Sequence, residues 1–216
     1  MTPAIERLFL ASFPVNERRP LAWFRELAAN EPRMHLVAYD ADARPVPAHD
    51  GEQHPGDASL TDERAMLCYW HFDTFIYVEY LAVDPTLRGG GIGRRIMERL
   101  VSDSMLPVIL EVEPPTDQLT TRRVAFYQRL GFQLLPDPYV QPSYGVVPGM
   151  PLRLMLHSLN VPVPPPPVAE MVKLIHRHVY GQKPGSRDHP TPNDRAPASR
   201  QPMHPKRKQV AKQKLQ

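Results

Sequence analysis

Cysteine is nearly absent. Cys68 stands alone among 216 residues, so no intrachain disulfide can form and no cysteine cluster offers itself to a metal. Long apolar runs are missing too: no stretch approaches the about 20 residues that a membrane-spanning helix needs. The first residues lack the charged-then-apolar pattern of a secretory leader. The expected compartment is therefore the cytoplasm, with no membrane partner and no metal. Cys68 lies in an apolar run and reads as a small buried hydrophobe rather than a nucleophile. Glycine is scarce as well, at 11 residues, yet four of them, Gly89, Gly90, Gly91 and Gly93, fall within five positions.

What is present is organised around that concentration. Phe75 to Val83 is rich in aromatic and β-branched residues and reads as a buried strand. Asp84-Pro85 ends it, because proline lacks the ladder donor and turns the preceding residue away from helix. From Ile92 the apolar positions Ile92, Ile96, Met97, Leu100 and Val101 recur at helical spacing. A glycine loop that opens a helix aims unpaired N–H groups and a positive dipole end at one spot, which suits an anion, most often a phosphate. A nucleotide P-loop would need Gly-Lys-Ser/Thr where this chain has Gly93-Arg94-Arg95, and no glycine frame matches the dinucleotide fingerprint.

Arg88-x-x-Gly91-x-Gly93, directly after a strand ending Leu81-Ala82-Val83-Asp84-Pro85, closely resembles the coenzyme A pyrophosphate loop of the GNAT superfamily, the acyl-CoA-dependent N-acetyltransferases. Phe126-Tyr127 and Gly131-Phe132 form a second match, at the right distance after the loop. The resemblance covers residues 34–157 well, the two ends weakly, and points to a bacterial single-domain type. It departs where the usual Asn and Ala before the tyrosine are Thr120 and Arg123. It implies an α/β fold: a mixed, mostly antiparallel sheet flanked by helices, with splayed strands forming the acetyl-CoA cleft.

In chain order, helices are expected over Pro3–Ser12 and Pro20–Asn30, a strand over Met34–Asp40 and a long loop over 41–62. Strands Ala65–Phe72 and Phe75–Val83 form a hairpin. A helix over 92–104, a strand over Val108–Glu113 and a helix over Leu119–Leu130 with Gly131 as its C-cap come next. Phe132–Leu135 and Leu152–His157 close the sheet, with a Pro-, Tyr- and Gly-rich connection at 136–151. Residues 1–160 are expected to be the acetyltransferase domain and 161–180 a polyproline spacer with a docked helix. Residues 181–216 carry nine Lys or Arg against two Asp, a balance of +7 that leaves −4 for the rest. That proline-rich segment has too little apolar surface to offset its ordering entropy and is read as a disordered basic tail. Nucleic acid is an expected partner only through the tail, and a solvated extension is the preferred reading.

Acetyl transfer needs a held thioester, a deprotonated amine, stabilisation of the developing oxyanion and a proton for the thiolate. The backbone of Arg88, Gly89, Gly90, Gly91, Ile92, Gly93 and Arg94 would wrap the pyrophosphate, aided by the two arginine side chains. By resemblance the pantetheine arm lies along Leu81, Ala82 and Val83, where a backbone N–H could polarise the thioester. Tyr127 is the expected acid. Glu79 is the expected base: by strand alternation it shares a side with Leu81 and Val83. Glu111, Glu113 and ordered water are alternatives. Tyr139 and Tyr144 line the acceptor mouth or simply pack at the surface. The expected activity is direct transfer from acetyl-CoA to a primary amine on a small molecule or peptide, by a protein of a kind that commonly dimerises. Rival readings are a non-catalytic acyl-CoA sensor and a nucleic-acid-associated protein acting through its tail.

Overall fold

The computed structural model describes residues 1–15, 17–47, 62–144 and 149–181. Apart from Gly181, the expected basic tail lies outside the described residues, as does most of the expected loop over 41–62.

Helix α1 (Pro3–Ser12) starts where expected, with the Thr2 hydroxyl accepting from the Ile5 N–H and proline in its first turn. Helix α2 (Leu21–Asn30) follows Pro20. The strands are β1 (Met34–Tyr39), β2 (Pro45–Val46), β3 (Ala65–His71), β4 (Ile76–Val83), β5 (Val108–Val112), β6 (Gln133–Leu134), β7 (Tyr139–Gln141) and β8 (Met150–His157). Helices α3 (Ile92–Asp103), α4 (Gln118–Arg129) and α5 (Val168–His178) complete the order. Strand β7 was not expected. It pairs with Met150–Leu152, but prolines on both sides hide its period of two.

The sheet runs β2-β1-β3-β4-β5-β8, with β6 and β7 placed in succession along the outer edge of β8. Every pairing is antiparallel except β4 with β5. Helices cover both faces. On one, α1, α2 and α5 bury Phe9, Phe24, Met171 and Ile175 against Trp70, Tyr77 and Ile109. On the other, α3 and α4 bury Ile92, Ile96, Met97 and Val124 against Leu67, Val78, Leu110 and Met155. This is the mixed, mostly antiparallel sheet between helices that the sequence led us to expect.

Two irregularities in β4 shape everything that follows. The parallel ladder to β5 has three rungs only, Ile76↔Val108, Tyr77↔Ile109 and Val78↔Leu110. Beyond Val78 the two strands diverge. At the same point the register to β3 steps from Tyr69↔Val78 to Cys68↔Tyr80, leaving Glu79 opposite no residue. Glu79 is thus the extra residue of a β-bulge, and a bulge reverses the alternation of side chains after it.

Candidate active site

The glycine loop follows a tight turn. Asp84 accepts from the Thr86 N–H at 2.9 Å and nucleates a single 3-10 turn, Pro85–Leu87. Gly89 (φ +87°) and Gly91 (φ +77°) then take the left-handed conformation that side chains resist. A Cβ on Gly93 would make ordinary contact, 3.5 Å from Val83 Cγ2 and 3.8 Å from Leu81 Cδ2, which shows how closely α3 lies on β4. Arg95 Nη1 donates to the Gly90 carbonyl at 3.0 Å and braces the loop. The first backbone bond of α3 is Arg95 N–H to Gly91 O, so the N–H groups of Gly91, Ile92, Gly93 and Arg94 precede the helical ladder and face outward. Ile92 turns its side chain into the core and can serve a ligand only through its backbone. Arg88 and Arg94 are exposed at the rim.

From this loop a cleft of about 770 Å³ runs between the diverging strands β4 and β5 to Gln141, Met150 and Leu152. Asp84 N–H bonds to the Arg64 carbonyl just before β3, so alternation turns the N–H and C=O of Leu81 and Val83 to the opposite edge, where no strand pairs with them and Arg88 Nε donates to the Val83 carbonyl at 3.4 Å. Their side chains pack with α3 and α4. Tyr127 lines the cleft from α4, its ring edge-on to Phe126 at 4.9 Å and to Phe132 at 5.7 Å. Burial pushes its phenol up to about 12. Thr120, where the resemblance departs, is occupied with the capping box of α4. Its hydroxyl accepts from the Asp117 N–H while Asp117 accepts from the Thr120 N–H.

Glu79 does not point where alternation predicted. The bulge turns it and Tyr80 to the same side, away from Leu81 and Val83 and under α1, α2 and α5. There its carboxylate is 1% exposed and ion-paired with Arg19 of the α1–α2 loop. It also accepts from Arg19 Nε at 3.0 Å, Trp70 Nε1 at 2.6 Å and the Tyr144 hydroxyl at 2.9 Å. The Cys68 thiol lies 3.9 Å away, fully buried, and burial pushes it up. Arg19 in turn donates to the carbonyl of Val179, beyond α5, and lies over the rings of Trp70 and Tyr144. Glu79 is saturated with donors.

Glu111 and Glu113, expected on one face of β5, part company because the strand ends at Val112 and Pro114 turns the chain. Glu113 is ion-paired with Arg123 of α4 at the cleft rim. Glu111 lines the cleft wall, and neutral hydroxyls surround its carboxyl. Tyr139 donates to Oε1 and Tyr180 to Oε2, the latter at 2.8 Å. Burial raises its pKa from the ordinary 4.5 to about 7; hydrogen bonds from Tyr139, Tyr180 and Tyr77 temper the rise, and the Glu79 charge adds to it. Tyr139 and Tyr144 are therefore buried supports behind the cleft, not residues of its mouth. Arg19 and Tyr180 escaped the sequence reading. One sits in a short Arg18-Arg19-Pro20 linker and the other past the last helix, and neither has a local pattern that marks it.

Comparison with known proteins agrees with this geometry. Residues 47–134 match the family model described as "Acetyltransferase (GNAT) domain". A solved Bacteroides thetaiotaomicron structure assigned to the GNAT family of acetyltransferases is 33% identical, with a TM-score of 0.68. The match covers 83% of this chain and 92% of that one. A Bacillus subtilis (strain 168) protein assigned as acetyltransferase YjbC is 40% identical over 70 residues. That is 32% of this chain and 36% of the relative, so the chain spans about a third of that relative's length. Arabidopsis thaliana NAA60, solved with a bisubstrate analogue, shares the fold at a TM-score of 0.50 and 16% identity, over 74% of this chain and 96% of that one.

Proposed function

The chain belongs to the GNAT family of acetyltransferases, and from that premise we propose that it moves the acetyl group of acetyl-CoA directly onto a primary amine, with Glu111 as base and Tyr127 as acid. One observation carries this reading: a single cleft joins an outward-facing glycine loop to a carboxyl whose pKa is poised at about 7. Acetyl-CoA supplies the activated thioester, and the residues fit it. The ladder-free N–H groups of Gly91 to Arg94 suit its pyrophosphate, and the strand-free edge at Leu81 and Val83, with Ala82 between them paired to β3, suits its amide-bearing arm.

In the proposed step the Glu111 carboxylate takes the proton of the acceptor ammonium, and the amine nitrogen attacks the thioester carbon. Backbone N–H at the open edge of β4 meets the negative charge that develops on the thioester oxygen. The carbon–sulfur bond breaks, the Tyr127 hydroxyl gives its proton to the leaving sulfur, and the second proton shed by the nitrogen as the amide forms returns to the Tyr127 oxygen. Its phenol, protonated at neutral pH, is in the right state to do so. Glu79 is assigned a positioning role: through Arg19 it holds the bulge that keeps β4 and β5 apart. A base near pH 7 is where the match between protonation state and driving force is best, which suits Glu111; Glu79 and Glu113 are instead each engaged by an arginine.

The test has two stages. Acetyl-CoA is titrated into the protein by calorimetry, and a panel of primary amines is then assayed for thiol release. Binding, followed by turnover that Glu111→Gln lowers about 10²- to 10⁴-fold, supports the reading. No heat and no thermal stabilisation by the coenzyme would overturn it. Binding without turnover of any amine would mark a sensor instead.

A further inference from the structure

We propose that Tyr180, two residues beyond the last helix, is a positioning residue of the acyl-transfer site, its hydroxyl orienting the Glu111 carboxylate for proton abstraction from the acceptor amine. The proposal rests on the assignment of Glu111 as base. It makes the C-terminal element, outside the matched family region of 47–134, part of the active site.

The argument is one of hydrogen-bond direction. A tyrosine hydroxyl has one proton and two acceptor positions. Gln141 Nε2 donates to the Tyr180 oxygen at 3.0 Å, and the Tyr77 hydroxyl lies 3.0 Å from the same oxygen. With Gln141 on one acceptor position, the Tyr180 proton goes to Glu111 Oε2 at 2.8 Å, and Tyr77 stands beside both groups. The chain of donors therefore runs one way and ends on the carboxylate. On the other oxygen Tyr139 does the same, with His176 Nε2 at 3.2 Å behind it. Because the Tyr139 proton is spent on Glu111, His176 must present Nε2–H to it.

Tyr180 is itself held firmly. Its ring packs on Tyr144 at 4.9 Å and edge-on to His176 at 6.2 Å. The preceding carbonyl, Val179 O, accepts from Arg19, which pairs with Glu79. One peptide unit at the end of α5 thus reaches both cleft carboxylates, Glu79 through Arg19 and Glu111 through the Tyr180 ring. The groups that face Glu111 are Tyr77 and Glu79 from β4, Tyr139 from β7 and Tyr180. Among them only Glu79 carries charge, and Arg19 offsets it.

Tyr180→Phe removes a bond to the charged form of the base. The acid limb of kcat/KM should then move to higher pH by about one to two units. Activity near pH 7 should fall about tenfold or more and recover at higher pH, while acetyl-CoA affinity stays unchanged. In the double variant Tyr180→Phe with Glu111→Gln, the loss should be no greater than in Glu111→Gln alone. If Tyr180→Phe fails to fold, Gln141→Leu releases the Tyr180 hydroxyl from behind and should move the limb in the same direction. An acid limb that stays put, or losses that multiply in the double variant, would overturn the role of Tyr180 even with Glu111 confirmed. Full activity of Glu111→Gln would instead remove the base assignment beneath it.

Discussion

The two ends of the cleft are built from different materials. At the coenzyme end the chain offers backbone: left-handed glycines, ladder-free N–H groups and a strand edge, all within residues 81–94. At the other end, where the acceptor is proposed to enter, it offers side chains gathered from residues 19, 70, 79, 111, 139, 144 and 180. Within that second end the two carboxylates differ again. Glu79 faces a guanidinium, Glu111 faces phenols. A buried carboxylate beside a cation is a strut, whereas one solvated only by neutral donors keeps a titration within reach of physiological pH.

The largest expected effect tests the strut. Glu79→Gln leaves Arg19 charged and uncompensated at 2% exposure, and should cost about 3–5 kcal/mol of stability, read as a lower midpoint in denaturant. Glu111→Gln should do the opposite above pH 7. The folded state holds the Glu111 proton up to about 7 while the unfolded chain releases it near 4.5. Wild-type stability therefore contains a component that is full below pH 4.5 and lost as pH rises to about 7. The variant should lack that decline. Equal, strongly destabilising effects of both substitutions would erase the contrast.

Next in size is the coenzyme end. Gly91→Glu sets a side chain at φ +77° and an anion beside the N–H groups, and should weaken acetyl-CoA about a hundredfold by calorimetry. It should leave the fold and the Glu111 titration alone, since the two ends share no side chain. Tyr127→Phe comes third, with kcat lowered about tenfold to a hundredfold and coenzyme affinity held. An effect on binding instead would return Tyr127 to a packing role. The smallest effect belongs to the rim pair. Glu113→Gln breaks a partly exposed ion pair with Arg123 and should change stability by less than about 1 kcal/mol. A large loss of activity there would move the base from Glu111 to Glu113.

Helices and strands were largely legible because their signals are periodic: α1 begins at Pro3 and α4 is followed by Gly131 at φ +87°, as the local chemistry requires. The turn at Gly89 and Gly91 was legible from the residues themselves, whose positive φ glycine favours. The face of Glu79 was not. Its reading assumed unbroken alternation, and one unpaired residue in the β3–β4 register reversed it. Tyr139 and Tyr144, read as mouth or surface residues, are buried: β7 pairs with β8 and sets Tyr139 against His176 of α5, while Tyr144 packs against Tyr180 and bonds to Glu79.

By itself, then, the sequence determined the backbone chemistry of this protein: a glycine cluster dictates its own conformation, since φ above zero and an absent Cβ are properties of the residues in place. Only the tertiary structure decided which carboxylate braces and which titrates. A pKa and an ion pair depend on neighbours in space, and here those neighbours come from a linker before α2 and a tyrosine after α5. No pattern along the chain brings them together. The bulge, the splayed strands and the docked last helix do.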